Sequence, residues 1–399
     1  MASLALVACS KTKAAEERPA AALYTSPLFR KSLLHSLGKA KTTAILSAKH
    51  GVLPLSVRVT PYDMTLKDFD RHQRAEWSAM VAHQLKDVIS SGDIVALYCG
   101  SDYYKPLQGV FAQLGCKVEL PLGRLSLGSR LQALRRFNDD DLLNKSGSAF
   151  YKLMRKLYVA QGGGRLLAEA SGRLSWPTRG IYFFIEDTEP TLSRVPRVTR
   201  VGTHAVSKGS RTTLWDRLST HRGTNQGIGS HRSSIFRLHV GRALTTGLSN
   251  AARPRSWAEG QTASGEIRKG EEQLERRVSA VIGAMRVLWL DVPDDAGPLS
   301  DRAYLEQNCI GLLSRWYLSA GQKGAHWLGN SSEDWRIAVS GLWNLNCLFN
   351  PPDTRLFEVL ETYVEATIGL RSMPEKSISP KDWRKGAVLL RKSPQLSLF

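Results

Sequence analysis

Gly180-Ile181-Tyr182-Phe183-Phe184-Ile185 is followed, before Gly241, by Arg200-Val201-Gly202-Thr203-His204, then Thr213-Leu214-Trp215-Asp216-Arg217-Leu218-Ser219-Thr220-His221, then His231-Arg232-Ser233-Ser234-Ile235-Phe236-Arg237. The first two pieces read as β-strands, rich in β-branched and aromatic residues and bounded by Gly and Pro. The third reads as a helix, with Ser210 or Thr212 to cap it and Gly223 just past its end. Arg217 and His221 are i and i+4 and share one helical face. A tyrosine on a strand, an arginine and a histidine on the next helix, and a further run of arginines suit a phosphodiester. Its cleavage needs a proton acceptor and positive charge where negative charge develops.

Downstream, Val287-Leu288-Trp289-Leu290-Asp291-Val292 reads as a third strand, and Arg302 to Tyr317 as a helix with Leu305, Cys309, Leu312, Leu313 and Trp316 on one stripe. Glu306 lies beside that stripe. A carboxylate at the edge of an apolar face needs a partner. A metal ion or a basic group is expected, a salt bridge at the rim of the core being the plainer choice. Glu272 and Glu275, on the preceding charged helix, are weaker competitors.

The stretch resembles the GIY-YIG nuclease family. Gly180-Ile181-Tyr182 matches the first half of that signature. Arg200-Val201-Gly202 stands where the second half belongs, with Arg200 in place of the second tyrosine and Val201 a conservative change. The resemblance implies an α+β domain that hydrolyses DNA with Mg²⁺ (or Mn²⁺). It carries the family's helical Arg onto Arg217, the His one turn later onto His221, and the metal-binding Glu onto Glu306. Tyr182, Arg200, Arg217, His221 and Glu306 are then the catalytic set, and Arg232 and Arg237 hold the DNA backbone. A tyrosine ordinarily ionises near pH ~10, so base work by Tyr182 needs a cation beside it. The family often has an Asn after its Glu, and Asn344 or Asn346 would supply it.

The chain has 399 residues, 42% of them hydrophobic, enough for two ordinary cores. Its formal net charge of +19 favours a polyanionic partner. No apolar run approaches the length of a membrane span. Leu6-Val7-Ala8-Cys9 looks like a lipoprotein cleavage box, but no positive charge precedes it and the apolar run is too short, so it reads as a first strand. The five cysteines (9, 99, 116, 309 and 347) show no paired metal spacing. A cytoplasmic location is expected.

Residues 1–138 alternate strands (Leu4 to Ala8, Thr43 to Ser47, Ile94 to Tyr98, Lys117 to Leu120) with helices (Ser26 to Leu37, Leu66 to Ile89, one from near Asp102, Ser126 to Phe137). This predicts an α/β domain with a largely parallel sheet, whose polar loops at the strand ends form a cleft. Ser10, Lys11, Lys49, His50, Tyr62 and Tyr103 are the candidate nucleotide-binding residues there. Cys9 is a candidate nucleophile, though a lone Cys at a strand end is more often just buried. Cys-Ser-Lys at the start, Ser-Ala-Lys-His-Gly-Val-Leu at 47–53 and Pro61-Tyr62-Asp63 are distantly similar to YaaA-like proteins, a group that fixes no reaction.

Residues 139–175 read as a linker, with Gly162-Gly163-Gly164 flexible and a basic helix from Phe150 to Val159. The GIY-YIG-like domain is expected over 176–370, with a polar insertion from Arg242 to Gly270. From 371 to 399 the chain reads as a basic flexible tail ending Gln395-Leu396-Ser397-Leu398-Phe399. That end resembles the peptide by which bacterial replication and repair proteins bind the polymerase sliding clamp. Gln395 would supply orienting hydrogen bonds, and Leu396, Leu398 and Phe399 the apolar contacts.

Three functions follow. The chain is a metal-dependent DNA endonuclease, in DNA repair or in defence against foreign DNA, with the first domain recognising a nucleotide or base. Or it is a base-processing, glycosylase-like enzyme with its chemistry in the first domain. Or it is a DNA-binding adaptor with a degenerate nuclease fold.

Overall fold

The computed structural model describes residues 1–123, 125–247 and 253–383. The clamp-like peptide lies outside them, as does part of the expected insertion. Among the described residues no helix is long and apolar enough to cross a membrane.

Strand Ala2–Ala8 centres a five-stranded sheet, ordered Gly51–Pro54, Ala40–Ser47, Ala2–Ala8, Ile94–Tyr98, Lys117–Glu119. All neighbours run parallel except Gly51–Pro54, which folds back antiparallel on Ala40–Ser47. Successive side chains alternate between faces. Leu4, Leu6, Val95 and Leu97 share a core with Trp77, Val81, Leu85 and Phe111. Ala5, Val7, Ala96 and Tyr98 face the other way and share one with Phe29, Leu33 and Leu34. The helix expected from Leu66 to Ile89 is instead a short 3₁₀ turn, Leu66–Asp68, and a helix Arg71–Leu85. Asp70 sets the break: its side chain and that of Gln73 make a reciprocal capping box at a new N-terminus.

The second sheet is antiparallel, ordered Val198–Thr203, Gly180–Ile185, Arg286–Asp291, Arg165–Leu166. Tyr182 and Phe184 share a core with Leu214, Leu218, Phe236 and Val278. Ile181, Phe183 and Ile185 face the other core, with Phe150, Leu305 and Cys309. The helix Asp301–Ala320 is nearly all buried, which fits its place between the two domains.

The supposed linker belongs to this second domain. Residues Asp140–Ala160 form one 21-residue helix that buries Leu143, Phe150, Leu153, Met154 and Leu157. Gly147 lets it approach the Asp301–Ala320 helix, since a Cβ there would come 2.3 Å from the Trp316 ring. Tyr151 hydroxyl accepts from Val198 N–H at 2.8 Å and donates to Tyr317 hydroxyl at 2.6 Å, which in turn donates to the Val198 carbonyl at 3.0 Å. The helix is thereby tied to the sheet edge. The glycine run then turns the chain into the Arg165–Leu166 strand.

The two domains share a core as well as a chain. Phe29, Leu33 and Leu34 lie in the same buried cluster as Tyr304, Leu312 and Trp316. Within the seam Lys31 pairs with Asp140 and donates to Ser319 Oγ at 2.8 Å, and Asn138 Nδ2 donates to the Lys31 carbonyl at 2.9 Å. The expected tail is also docked as far as Trp383. Asp301 accepts from Ser377 Oγ, Ile378 N and Ser379 N, and the Trp383 ring lies 5.1 Å from that of Tyr304.

Burying five large apolar side chains contributes about 1.5–3 kcal/mol each, comparable in sum to the whole stability of a domain. A chain cut in the Gly162–Gly164 run should therefore leave a C-terminal piece with no cooperative thermal melt of its own, because the cut removes the Asp140–Ala160 helix. A sharp calorimetric transition from the isolated piece would contradict this.

Candidate active site

Tyr182 lies in the central strand, opposite Gly202 on one side and Trp289 on the other. Cross-strand partners present their side chains on the same face, so the Tyr182 ring covers Gly202. Any Cβ at 202 would meet the Tyr182 hydroxyl at 2.2 Å. Glycine is required here by close approach.

His221 comes from the helix Leu214–Arg222, whose cap is neither Ser210 nor Thr212 but the next residue, Thr213. Thr213 is the N-cap and forms a capping box with Asp216, and Gly223 ends the helix at φ +81°. His221 Nε2 lies 2.9 Å from the Tyr182 hydroxyl, and its Nδ1 lies 2.8 Å from Ser234 Oγ. Tyr182 and His221 are both 0% exposed. Burial, then the Arg200, Arg217 and Arg237 guanidinium groups, hold the His221 imidazole well below its usual pKa, so it is neutral at pH 7. With its one proton on Nδ1, donated to Ser234, Nε2 becomes the acceptor for the Tyr182 hydroxyl.

Arg200 is on the same face, paired across the strands with Phe184. Its Nη1 donates to the Trp343 carbonyl at 2.7 Å, its guanidinium lies 4.7 Å from the Phe236 ring centre, and its Nε is buried with no hydrogen-bond partner. Arg217 is half-buried on the His221 helix. Glu306 is half-buried, and its Oε1 accepts from Thr203 N–H at 3.2 Å. The carboxylate thus sits at the outer edge of the strand, one residue past the glycine beneath Tyr182. Asn344 holds the same edge, accepting from Val201 N–H at 3.1 Å and donating to the Val201 carbonyl at 2.7 Å. It completes the sheet; Asn346 is exposed.

Arg232 and Arg237 do not face solvent. Arg237 is fully buried, and every donor of its guanidinium is engaged by Glu275, the His221 carbonyl or Ser279. Arg232 forks onto Glu271. Neither guanidinium is available to a phosphate, and the expectation that they hold DNA is corrected. Glu275 also accepts from His231 Nδ1 at 3.0 Å, and Glu272 pairs with Arg276, so neither competes with Glu306 for a metal.

Residues 143–369 match the family model of the GIY-YIG domain. The chain belongs to the GIY-YIG domain family. Residues 4–136 match a second model, a family of unknown function (DUF6884). No curated protein and no solved structure matches the chain.

Membership in the GIY-YIG family points to a nuclease acting on DNA, and nucleases of this family typically depend on a divalent metal. Among the described residues no group of three or more His, Cys, Asp or Glu is placed to hold a metal ion. Glu306 offers one carboxylate. That fits a hard ion such as Mg²⁺, which takes one or two carboxylates and completes its shell with water and substrate phosphate.

The first domain carries its own polar cluster, at the carboxyl ends of its parallel strands. Tyr62 hydroxyl lies 2.8 Å from that of Tyr24 and 2.7 Å from Ser47 Oγ, and Cys9 Sγ lies 3.1 Å from Tyr103 hydroxyl. The Lys13 and Lys49 ammonium groups lie 4.5 and 5.6 Å from the Tyr62 ring centre, and the His50 ring meets it edge-on at 5.3 Å. Burial pushes the Tyr62 phenol up to about 12, and those of Tyr24 and Tyr103 higher, so all three are neutral hydrogen-bonding groups. The fold brings Lys49, His50, Tyr62 and Tyr103 together as expected. Ser10 turns its hydroxyl to the Thr12 carbonyl and Lys11 is exposed. Lys13 and Ser47 lie in the strand-end loops but were not named among the candidate ligands, and Tyr24 was missed. Only the strand-end rule pointed at their loops, and Tyr24 precedes the second strand altogether.

Three buried histidines and the half-buried His35 make stability depend on acid. His221 is held well below its usual pKa, and burial brings His35, His204 and His239 down to about 4. A histidine depressed in the folded state binds its proton first in the unfolded chain. Its stabilising contribution is complete above pH ~6.5 and is lost as pH falls toward the folded value. Each costs up to about 1.4 kcal/mol per pH unit in that window. Denaturant melts should show stability falling between pH 6.5 and 4, with a shallower slope in His204→Gln. A flat profile in the wild-type chain would contradict the buried neutral histidines.

Proposed function

We propose that the chain is a divalent-metal-dependent DNA endonuclease. The observation that carries this reading is the buried 2.9 Å contact between Tyr182 and His221, on which the Arg200 and Arg217 charges act, with Glu306 held at the neighbouring strand edge by Thr203 N–H. Tyr182 accepts a proton from the attacking water as its own hydroxyl proton passes to His221 Nε2, the negative charge of the bound phosphate offsetting the Arg200 and Arg217 charges that add to burial in holding His221 neutral in the free chain. Arg217, and Arg200 through its unpartnered Nε, stabilise charge on the phosphorane-like transition state. Mg²⁺ or Mn²⁺ held by Glu306 would supply Lewis-acid stabilisation of the phosphate and the leaving oxygen. Because Tyr182 has no exposed surface, substrate binding must move the groups above it before this chemistry begins.

In this proposal the first domain recognises a nucleotide or base through Tyr62, Tyr103, Lys49 and His50. A role in DNA repair or in defence against foreign DNA follows from joining such a reader to a nuclease. One observation favours a second reading, a base-processing enzyme: the Cys9 thiol lies within the tyrosine cluster, where it would meet a bound ligand.

The test is a nicking assay with Mg²⁺ and Mn²⁺ on plain, branched and base-modified DNA. Glu306→Gln should lower the nicking rate by about 10²-fold or more and leave DNA affinity within a few-fold. Full activity in that variant would remove Glu306 from the site. Release of free base that survives Glu306→Gln but is lost in Cys9→Ser would select the second reading.

A further inference from the structure

Away from both sites, four cations crowd the seam between the domains. Arg18 lies on the strand Arg18–Pro19 and Arg30 on the helix Pro27–Lys39, both in the first domain. Arg197 precedes the edge strand of the second sheet, and Lys323 follows the end of the Asp301–Ala320 helix.

Arg197 is accounted for. It is fully buried, its Nε donates to Glu189 Oε2 at 2.7 Å, and its guanidinium lies 5.0 and 4.8 Å from the Tyr317 and Trp327 ring centres. Glu189 is consumed in the process, since it also accepts from Gly324 N–H at 2.9 Å. The other three are not accounted for. Lys323 donates to the Ala338 carbonyl, a neutral acceptor. Arg30 lies so close to Gly321 that a Cβ there would meet its Nη1 at 2.7 Å, and its Nε is buried with no hydrogen-bond partner. Among the described residues neither the Arg18 nor the Arg30 side chain has a hydrogen bond or an ion pair. Burial, then the charges of Arg18, Arg197 and Arg30, bring Lys323 down to about 7, with Glu189 opposing. These groups therefore act on one another.

The nearby negative charge does not balance them. The C-terminal end of the Asp301–Ala320 helix offers about half a charge. Exposed Glu16 acts on Arg18, and Glu17 is taken by Arg58. Like charges drawn together in a partly buried seam are costly without a counter-ion. All three residues are half-buried, and none is fully closed off from solvent. Two planar guanidinium forks and a lysine ammonium form a donor set suited to tetrahedral oxyanions.

We propose that Arg18, Arg30 and Lys323 bind a small phosphate-class anion at this seam. The anion contacts both domains at once, so its binding ties the first domain to the second. The site is separate from the Tyr182 and Tyr62 clusters and does not depend on what either does. Free inorganic phosphate and the terminal phosphates of a nucleotide share this chemistry.

Thermal melts and calorimetric titrations of the full chain, at constant ionic strength, would use inorganic phosphate, pyrophosphate and ATP, with chloride as the control. At least one oxyanion should raise the melting temperature saturably by several degrees. The anion that saturates at the lowest concentration identifies the source. Arg18→Ala and Lys323→Met should each weaken that binding by about tenfold or more. Arg18→Ala, at a half-buried position on a two-residue strand, keeps the test valid if Lys323→Met fails to fold. The proposal is overturned if no oxyanion gives a saturable shift, or if Arg18→Ala binds as the wild-type chain does.

Discussion

The hydrogen bond between Tyr182 and His221 is the interaction on which the second domain's arrangement turns. An imidazole without solvent, near three guanidinium groups, has to be neutral and has to satisfy both of its nitrogens. Tyr182 takes one nitrogen and Ser234 the other. Ser234 also caps the helix Ile235–Thr245, whose Arg237 reaches back to the His221 carbonyl and is neutralised by Glu275. Glu275 in turn holds His231, which stacks on Trp257 at 3.9 Å. One network therefore runs from the candidate base to the far side of the domain. Removing a member strands a buried polar group, which costs more than the lost bond alone. Gly202 is the enabling residue, because any side chain there would lift the tyrosine off its partner.

The two domains are coupled by more than a covalent connection. The Asp301–Ala320 helix packs on both, and the pair of Lys31 and Asp140 with Ser319 is buried between them. Breaking one partner of such a pair typically costs a few kcal/mol. One helix thus packs against both domains.

Much of the fold was legible in the sequence. Most strands of both sheets follow from local periodicity, but Gly51–Pro54 and Arg165–Leu166 were not read as strands, and the site residues were reached through the family resemblance. The failures share a cause. Arg232 and Arg237 look like phosphate ligands in sequence, because a charge does not reveal whether it is exposed. Their partners, Glu271 and Glu275, lie 39 and 38 residues away. The supposed linker was misjudged from its glycines and serines, although Leu143, Phe150, Leu153, Met154 and Leu157 already form an apolar stripe. The docking of Ser377 to Ser379 on Asp301 is likewise non-local. In the first domain the convergence of Tyr24, Ser47 and Tyr62 needed the tertiary fold, since no spacing rule joins loops so far apart.

In the proposed mechanism Tyr182 and His221 act as one proton-handling unit. A double-mutant cycle on the single-turnover nicking rate tests it most directly, with Tyr182→Phe, His221→Ala and both together, each checked for native melting. Residues that act as a unit are strongly non-additive. The account predicts that each single variant loses most of the rate and that the double variant is no slower than the worse of the two. Rate losses that multiply would mean that the two residues act separately, and the shared proton path would be wrong.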